Sequence, residues 1–201
     1  MQAEYALISI TGRLSPGAGN LRIQTERTHL TVLHERDSEA MATYYRDNAD
    51  HLDPWEPARP EDFHGARSWR LRARKAQLDA QHGQSLRLVA RHDITGALIG
   101  VCNFTNIQRG VAQCCDLGYS IAKQAEGQGL MQEIVSAGCQ HMFQDQRLNR
   151  ISAACLPHNT RSRALLERLG FEEIGRARQY LKIDGVWRDH DLWQKLNPED
   201  I

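Results

Sequence analysis

In the stretch Leu21–Leu33, Thr28, Leu30 and Val32 alternate with polar neighbours, the period of a half-buried strand. Asp37-Ser38 then offers a helix cap, with Ala40, Ala42 and Tyr44 in the body of a helix reaching about Asn48. Asp53-Pro54-Trp55-Glu56-Pro57 ends regular structure, because each proline lacks an N–H and fixes φ. Helical spacing returns over residues 65–82. Trp69, Ala73, Ala76 and Ala80 share one face, and Arg67, Arg70, Arg74 and Lys75 occupy the other. Strands fit about 85–91, 97–107 and 112–122.

A glycine-containing turn at Gln124–Leu130 opens a helix that continues to about Gln144. Leu130, Ile134, Ala137 and His141 lie on one side of it, and Met131 and Met142 are expected in the core. A strand at Arg150–Leu156 and a helix at Asn159–Leu169 follow, the latter stopped by Gly170. Two final strands, about 173–183 and 186–193, flank Asp184-Gly185, a hairpin signal, with Trp187 and Trp193 expected to pack. The order β-α-α-β-β-β-α-β-α-β-β predicts a mixed α/β domain: one central sheet flanked by helices.

Length and breakers set the domain plan. The 201 residues suit one domain. Ser15-Pro16-Gly17-Ala18-Gly19-Asn20 marks residues 1–20 as an appended arm, leaving 21–196 as the folded unit and 197–201 as a short tail. Lys+Arg and Asp+Glu are equal at 25 each, so no global field draws the chain to nucleic acid or an anionic membrane. The apolar run Tyr5–Ile10 follows an acidic residue rather than a basic region, and no stretch approaches the ~20 apolar residues of a membrane span. A cytoplasmic protein with no membrane partner is expected. Its five cysteines, without C-x-x-C spacing, read as reduced and buried, and the scattered histidines argue against a metal site.

Candidate chemistry begins at Gln124-Ala125-Glu126-Gly127-Gln128-Gly129-Leu130. Strand, glycine turn and helix together present free N–H groups and a partial positive charge to an anion. Neither the dinucleotide G-x-G-x-x-G nor a Gly-Lys-Ser/Thr phosphate loop is present. Some thirty residues on stands a second motif, Asn159-Thr160-Arg161-Ser162, then Leu165-Leu166 and Gly170-Phe171. Q-x-x-G-x-G followed by N-x-x-S…G-F resembles the two acetyl-CoA motifs of the GNAT acyl-CoA N-acyltransferases. Pro54-Trp55-Glu56-Pro57, Asn103-Phe104-x-Asn106-x-x-Arg109-Gly110, Leu117-Gly118-Tyr119-Ser120-Ile121 and Ile183-Asp184-Gly185-x-Trp187-Arg188-Asp189-His190 narrow the resemblance to the RimJ-type ribosomal-protein-alanine N-acetyltransferases. The likeness runs from about Leu21 to Leu192.

That resemblance implies direct transfer of acetyl from acetyl-CoA, with coenzyme A as product, to a protein N-terminal α-amine in a ternary complex. The acceptor it implies is an alanine-initiated small-subunit ribosomal protein. It places the cofactor on Gln124, Gly127, Gly129, Leu130 and Asn159. It also implies a bulge in Asp116–Ala122, leaving an N–H near Tyr119, Ser120 or Ile121 for the oxyanion. Ser162 matches the serine that serves the leaving sulfur, while Leu166 stands where other members carry a tyrosine acid. Leu181 stands where a related branch carries a glutamate base. The base candidates are therefore Glu56, held between prolines, and Asp116, with Asp189 and His190 behind them. An α-amine, with a pKa of ~7.7–8.0, needs no strong base. Two rivals remain: a GNAT acting on a polyamine or aminoglycoside, to be sought at Asp189 and Asp191, and a ribosome-assembly factor touching rRNA weakly through the Arg67–Lys75 face.

Overall fold

The computed structural model describes residues 21–199, so the predicted arm and the last two residues lie outside it. Eight strands form one sheet in the order β1-β2-β3-β4-β5-β6-β8-β7. They are β1 (Arg22–Gln24), β2 (Thr28–Val32), β3 (Leu86–His92), β4 (Leu98–Gln108), β5 (Cys114–Ile121), β6 (Arg150–Cys155), β7 (Glu172–Ile183) and β8 (Val186–Leu196). The helices are α1 (Ser38–Asp47), α2 (Ala49–Leu52), α3 (Ala66–Gln81), α4 (Leu130–Gln144) and α5 (Thr160–Arg168). All neighbouring pairs are antiparallel except β5 and β6, which α4 joins as a crossover.

The expected single strand at 21–33 is instead two. Thr25 turns the chain by accepting and donating around Thr28, and β1 folds back on β2. The proline segment is not wholly irregular either: Asp53–Trp55 makes a 3-10 turn with proline in its first positions. Asp37 precedes α1 but makes no cap bond to it. Its carboxylate accepts from the His34 N–H at 2.8 Å and pairs with Arg91 at 2.9 Å, so it closes the preceding turn. At the final hairpin, Asp184 and Gly185 both adopt positive φ, as a two-residue turn with right-handed strand twist requires.

The sheet divides the molecule into two layers. Residues of β5 alternate between them. Tyr119 reaches α5 on one face, and Ser120 reaches α1 on the other. On the α4 side the packing is close: a Cβ on Gly138 would come within 3.0–3.2 Å of the Phe104 ring and Cys102 Sγ. Ile134, Val135 and Met142 of α4 are fully buried, and Met131 nearly so. On the opposite layer Trp69, Ala73, Ala76 and Ala80 of α3 are buried as their spacing predicts. All five cysteines are free and buried. Of the two tryptophans expected to pack, Trp193 is buried but Trp187 is 59% exposed, because it stands near the hairpin tip at the edge of the sheet. Among the described residues no helix is long and apolar enough to cross a membrane.

Candidate active site

The turn after β5 is built to leave donors unused. Lys123 N–H is taken by Asn48 Oδ1 at 2.9 Å, Ala125 N–H by Ala122 O, and Glu126 N–H by Lys123 O. Helical bonding resumes with Glu133 N–H to Gly129 O. Between them, the N–H groups of Gly127 through Gln132 have no hydrogen-bond partner among the described residues. Gly127 (φ 72°) and Gly129 (φ 76°) make this possible, since both sit in the left-handed region that other residues enter at a cost. Gly129 is also the N-cap of α4 and has no side chain to satisfy its first turn. The result is a cluster of main-chain donors at the positive end of a fifteen-residue helix, which suits a pyrophosphate.

Side chains brace that turn from three directions. Arg27 donates to Gln128 O at 2.9 Å and pairs with Glu133 at 2.9 Å. Gln128 Nε2 closes back on Gln124 O at 2.9 Å. Glu126 is held by both oxygens to Arg161 at 2.8 Å, with His51 Nε2 at 3.5 Å. The one acid of the loop is therefore paired.

Next to the turn the sheet opens. β5 pairs with β6 only from Cys114↔Arg150 to Leu117↔Ala153, yet β5 continues to Ile121 and stays paired with β4 as far as Gly100↔Ile121. From Gly118 to Ile121 the main-chain groups facing away from β4 meet no strand. No bulge occurs here, contrary to expectation: the β4–β5 irregularity lies at the far end, between Thr105 and Gln108. The free main-chain groups here come from two strands parting, not from an inserted residue.

On the α4–α5 side of the opening, Asn159 caps α5 through Ser162 N–H at 3.1 Å. Ser162 Oγ lies 2.8 Å from the Tyr119 hydroxyl, which also reaches Ser162 O at 3.4 Å. Burial raises the Tyr119 phenol far above its ordinary value. Burial also raises the Cys155 thiol, which stands within hydrogen-bonding reach of Ser162. Leu166 is completely buried in the core.

The other face of β5 is different. Ser120 Oγ meets the Tyr44 hydroxyl at 3.0 Å. Tyr44 and its neighbour Tyr45 both feel the charge of Glu56. Burial raises the Glu56 carboxyl, while a 2.5 Å contact with Arg59 works in the opposite direction. Arg59 also pairs with Asp53 at 2.7 Å, and its guanidinium lies over the rings of Tyr45 (4.4 Å) and Phe63 (4.7 Å). Asp116, the other base candidate, is on this face but in the fully paired part of β5, where it accepts from Asn106 Nδ2 at 2.8 Å.

Beside the proline turn lies a cleft of about 330 Å³, lined by Pro54, Leu156, His158, Ile183, Asp184 and Arg188. Its walls are the proline turn, the end of β6 and the β7–β8 hairpin. The first and last are tied by Asp184 N–H to Glu56 O at 3.2 Å. Trp55 packs beside His158 with ring centroids 5.5 Å apart. Asp189, His190 and Asp191 are already engaged: Asp189 accepts from Gln179 N–H, His190 donates to Arg188 O, and the fully buried Asp191 pairs with Arg176 and Arg163. On the α3 face, Arg74 pairs with Glu35 and Lys75 with Asp79, which leaves a weaker basic patch than the sequence suggests. Sequence reasoning missed Tyr44, Arg59 and the Tyr119 side chain. Tyr44 and Tyr119 meet partners 76 and 43 residues away, which no local pattern carries. Arg59 meets Glu56 and Asp53 nearby, and went unread because the prolines there predict only irregular structure.

Comparison with known proteins agrees with this geometry. Residues 27–172 match the model of the acetyltransferase (GNAT) domain. The chain is 39% identical over 179 residues to the ribosomal protein uS5-alanine N-acetyltransferase of Escherichia coli strain K12, covering 89% of this chain and 92% of that one. Among solved structures, it superposes on the ribosomal-protein-S5-alanine acetyltransferase of Vibrio fischeri with a TM-score of 0.86 and 31% identity, covering 90% and 98% of the two chains. It superposes on Mycobacterium smegmatis RimJ in complex with CoA-disulfide with a TM-score of 0.85 and 30% identity, covering 92% and 90%.

Proposed function

The chain belongs to the GNAT acetyltransferase family and is an acetyl-CoA-dependent N-acetyltransferase, and from that premise we propose that it acetylates the N-terminal α-amine of an alanine-initiated ribosomal protein of the small subunit. The observation that carries this reading is the parted β5–β6 pair with free phosphate-type donors beside it, together with a cleft walled by Pro54 and the β7–β8 hairpin, where Asp184 N–H is bonded to Glu56 O. Acetyl-CoA supplies the acyl group as a thioester.

The main-chain N–H groups of 127–132 hold its pyrophosphate, and Asn159 with the parted strands guides its arm inward. Main-chain donors of Tyr119–Ile121 take the charge that develops on the carbonyl oxygen. Glu56 receives the proton lost by the attacking amine, either directly or through water. Ser162 faces the departing sulfur. A cleft lined by one acid and one arginine supports an extended, near-neutral peptide end over a polycation, and the engaged Asp189 and Asp191 leave no acidic cluster for a polyamine.

The test is thiol release from acetyl-CoA with an Ala-initiated peptide, the same peptide Nα-blocked but carrying lysine, and spermidine. Turnover confined to the free alanine terminus is expected. Turnover on lysine or spermidine overturns the acceptor assignment.

A further inference from the structure

The hydroxyl that many members of this family present from α5 is absent, since Leu166 is buried at that position. Another phenol nevertheless reaches the same helix, from β5. Tyr119 contacts both oxygens of Ser162, Oγ at 2.8 Å and the carbonyl at 3.4 Å, and no other hydrogen bond to its hydroxyl occurs among the described residues. Either hydroxyl can donate across the shorter 2.8 Å contact; the phenol is taken here as donor to Oγ, the carbonyl at 3.4 Å being the more distant acceptor. Once Ser162 Oγ accepts from Tyr119, the serine's own proton must point elsewhere. Ser162 N–H is taken by the Asn159 cap, and the acceptor within reach of its hydroxyl is the Cys155 sulfur, on β6 beyond the last β5–β6 pair, with which the coenzyme sulfur would compete for the serine proton.

We propose that Tyr119 is a positioning residue for the leaving group: by donating to Ser162 Oγ it turns the serine O–H toward the coenzyme sulfur. This rests on the reading of Ser162 given above. In the step concerned the C–S bond breaks and its electron pair goes to sulfur. Sulfur leaves as a thiolate, for which a pKa of ~8.5 is adequate. Ser162 keeps its proton, a serine hydroxyl being a far weaker acid than a thiol, and lends only a hydrogen bond. Tyr119 likewise keeps its own. The thiolate later takes a proton from solvent, balancing the one that leaves the amine.

Three variants test this: Ser162→Ala, Tyr119→Phe and the double variant. Tyr119→Phe is expected to lower kcat about tenfold, the worth of one hydrogen bond to a developing charge. KM for acetyl-CoA should stay within about twofold. The double variant should be no slower than Ser162→Ala alone, because the phenol acts only through the serine. In wild type, the thiol pKa of bound coenzyme A, followed by ultraviolet thiolate absorbance, should lie lower than in Tyr119→Phe.

A rise in KM with kcat intact, additive losses in the double variant, or an unmoved thiol pKa overturns the proposal. Full activity in Ser162→Ala overturns the reading of Ser162 itself, whereas a loss there with none in Tyr119→Phe overturns only the role of the tyrosine. Should Tyr119→Phe fail to fold, 3-fluorotyrosine at position 119 keeps the ring and strengthens the donor. The same proposal then expects a lower bound-thiol pKa, and no change overturns it.

Discussion

The two faces of β5 solve opposite problems. The α4–α5 face works with neutral groups: unpaired main-chain N–H donors, a serine and a protonated phenol. The α1–α3 face works with charge: a carboxylate, an arginine held over two rings, and tyrosines that sense the acid. The first kind of site suits a ligand that brings its own charge. The second suits a small uncharged amine, whose proton must be removed and whose approach must be held to one direction. The two faces meet only where β5 parts from β6, and that gap is the path the proposed transfer requires.

Four variants break or sharpen that contrast. Glu56→Gln should have the largest effect, lowering kcat about a hundredfold, the modest end for a general base because much of the α-amine is already neutral near pH 7.5. Coenzyme A affinity, measured by calorimetry, should not change.

Arg59→Met comes next. Burial raises the Glu56 carboxyl and Arg59 opposes that, so removing the cation raises it further. The base form then appears only at higher pH. The acidic limb of kcat/KM against pH should move upward, with about a tenfold loss at neutral pH. An unmoved limb would separate Arg59 from the chemistry.

Gly129→Val should act only on the neutral face. A left-handed β-branched residue costs at least ~1–2 kcal/mol, so KM for acetyl-CoA should rise about tenfold while the pH limb stays in place. The smallest effect is expected from the Arg70→Ala/Arg74→Ala pair. Arg74 already pairs with Glu35, so turnover on peptide should change by less than about twofold, and ribosome cosedimentation should show no steep salt dependence. Loss of binding in this variant would instead favour the assembly-factor reading.

Most of the fold could be read from the chain. The α3 stripe, the β2 alternation and the Asp184-Gly185 turn are local patterns, and each element stands within a few residues of its expected place. The glycine turn and the cap of α5 were equally readable, because the two glycines and Asn159 act on neighbours only a few residues away. The proline segment was harder to read. Pro54 and Pro57 foretell a break, but not that Glu56 O would accept from Asp184, 128 residues on, or that Arg59 would lie between Tyr45 and Phe63. Trp187 misled for a related reason: its residue type suggests burial, but only the sheet order places it at an uncovered edge. The expected bulge in β5 failed because strand separation frees the same main-chain groups, and nothing in Leu117–Ile121 distinguishes one from the other.

The donors of the turn after β5 belong to the main chain, and that has an evolutionary consequence. A side-chain anion site is lost when one codon changes. Here the exposed Gln132 contributes the same N–H whatever residue other than proline stands there, so descent can rewrite it without touching the donor. Selection at the turn is then concentrated on Gly127 and Gly129, whose conformation aims the donors. The pairs Arg27 with Glu133 and Glu126 with Arg161 around it can change together, which would retune the anion affinity proposed for the turn without altering its donors.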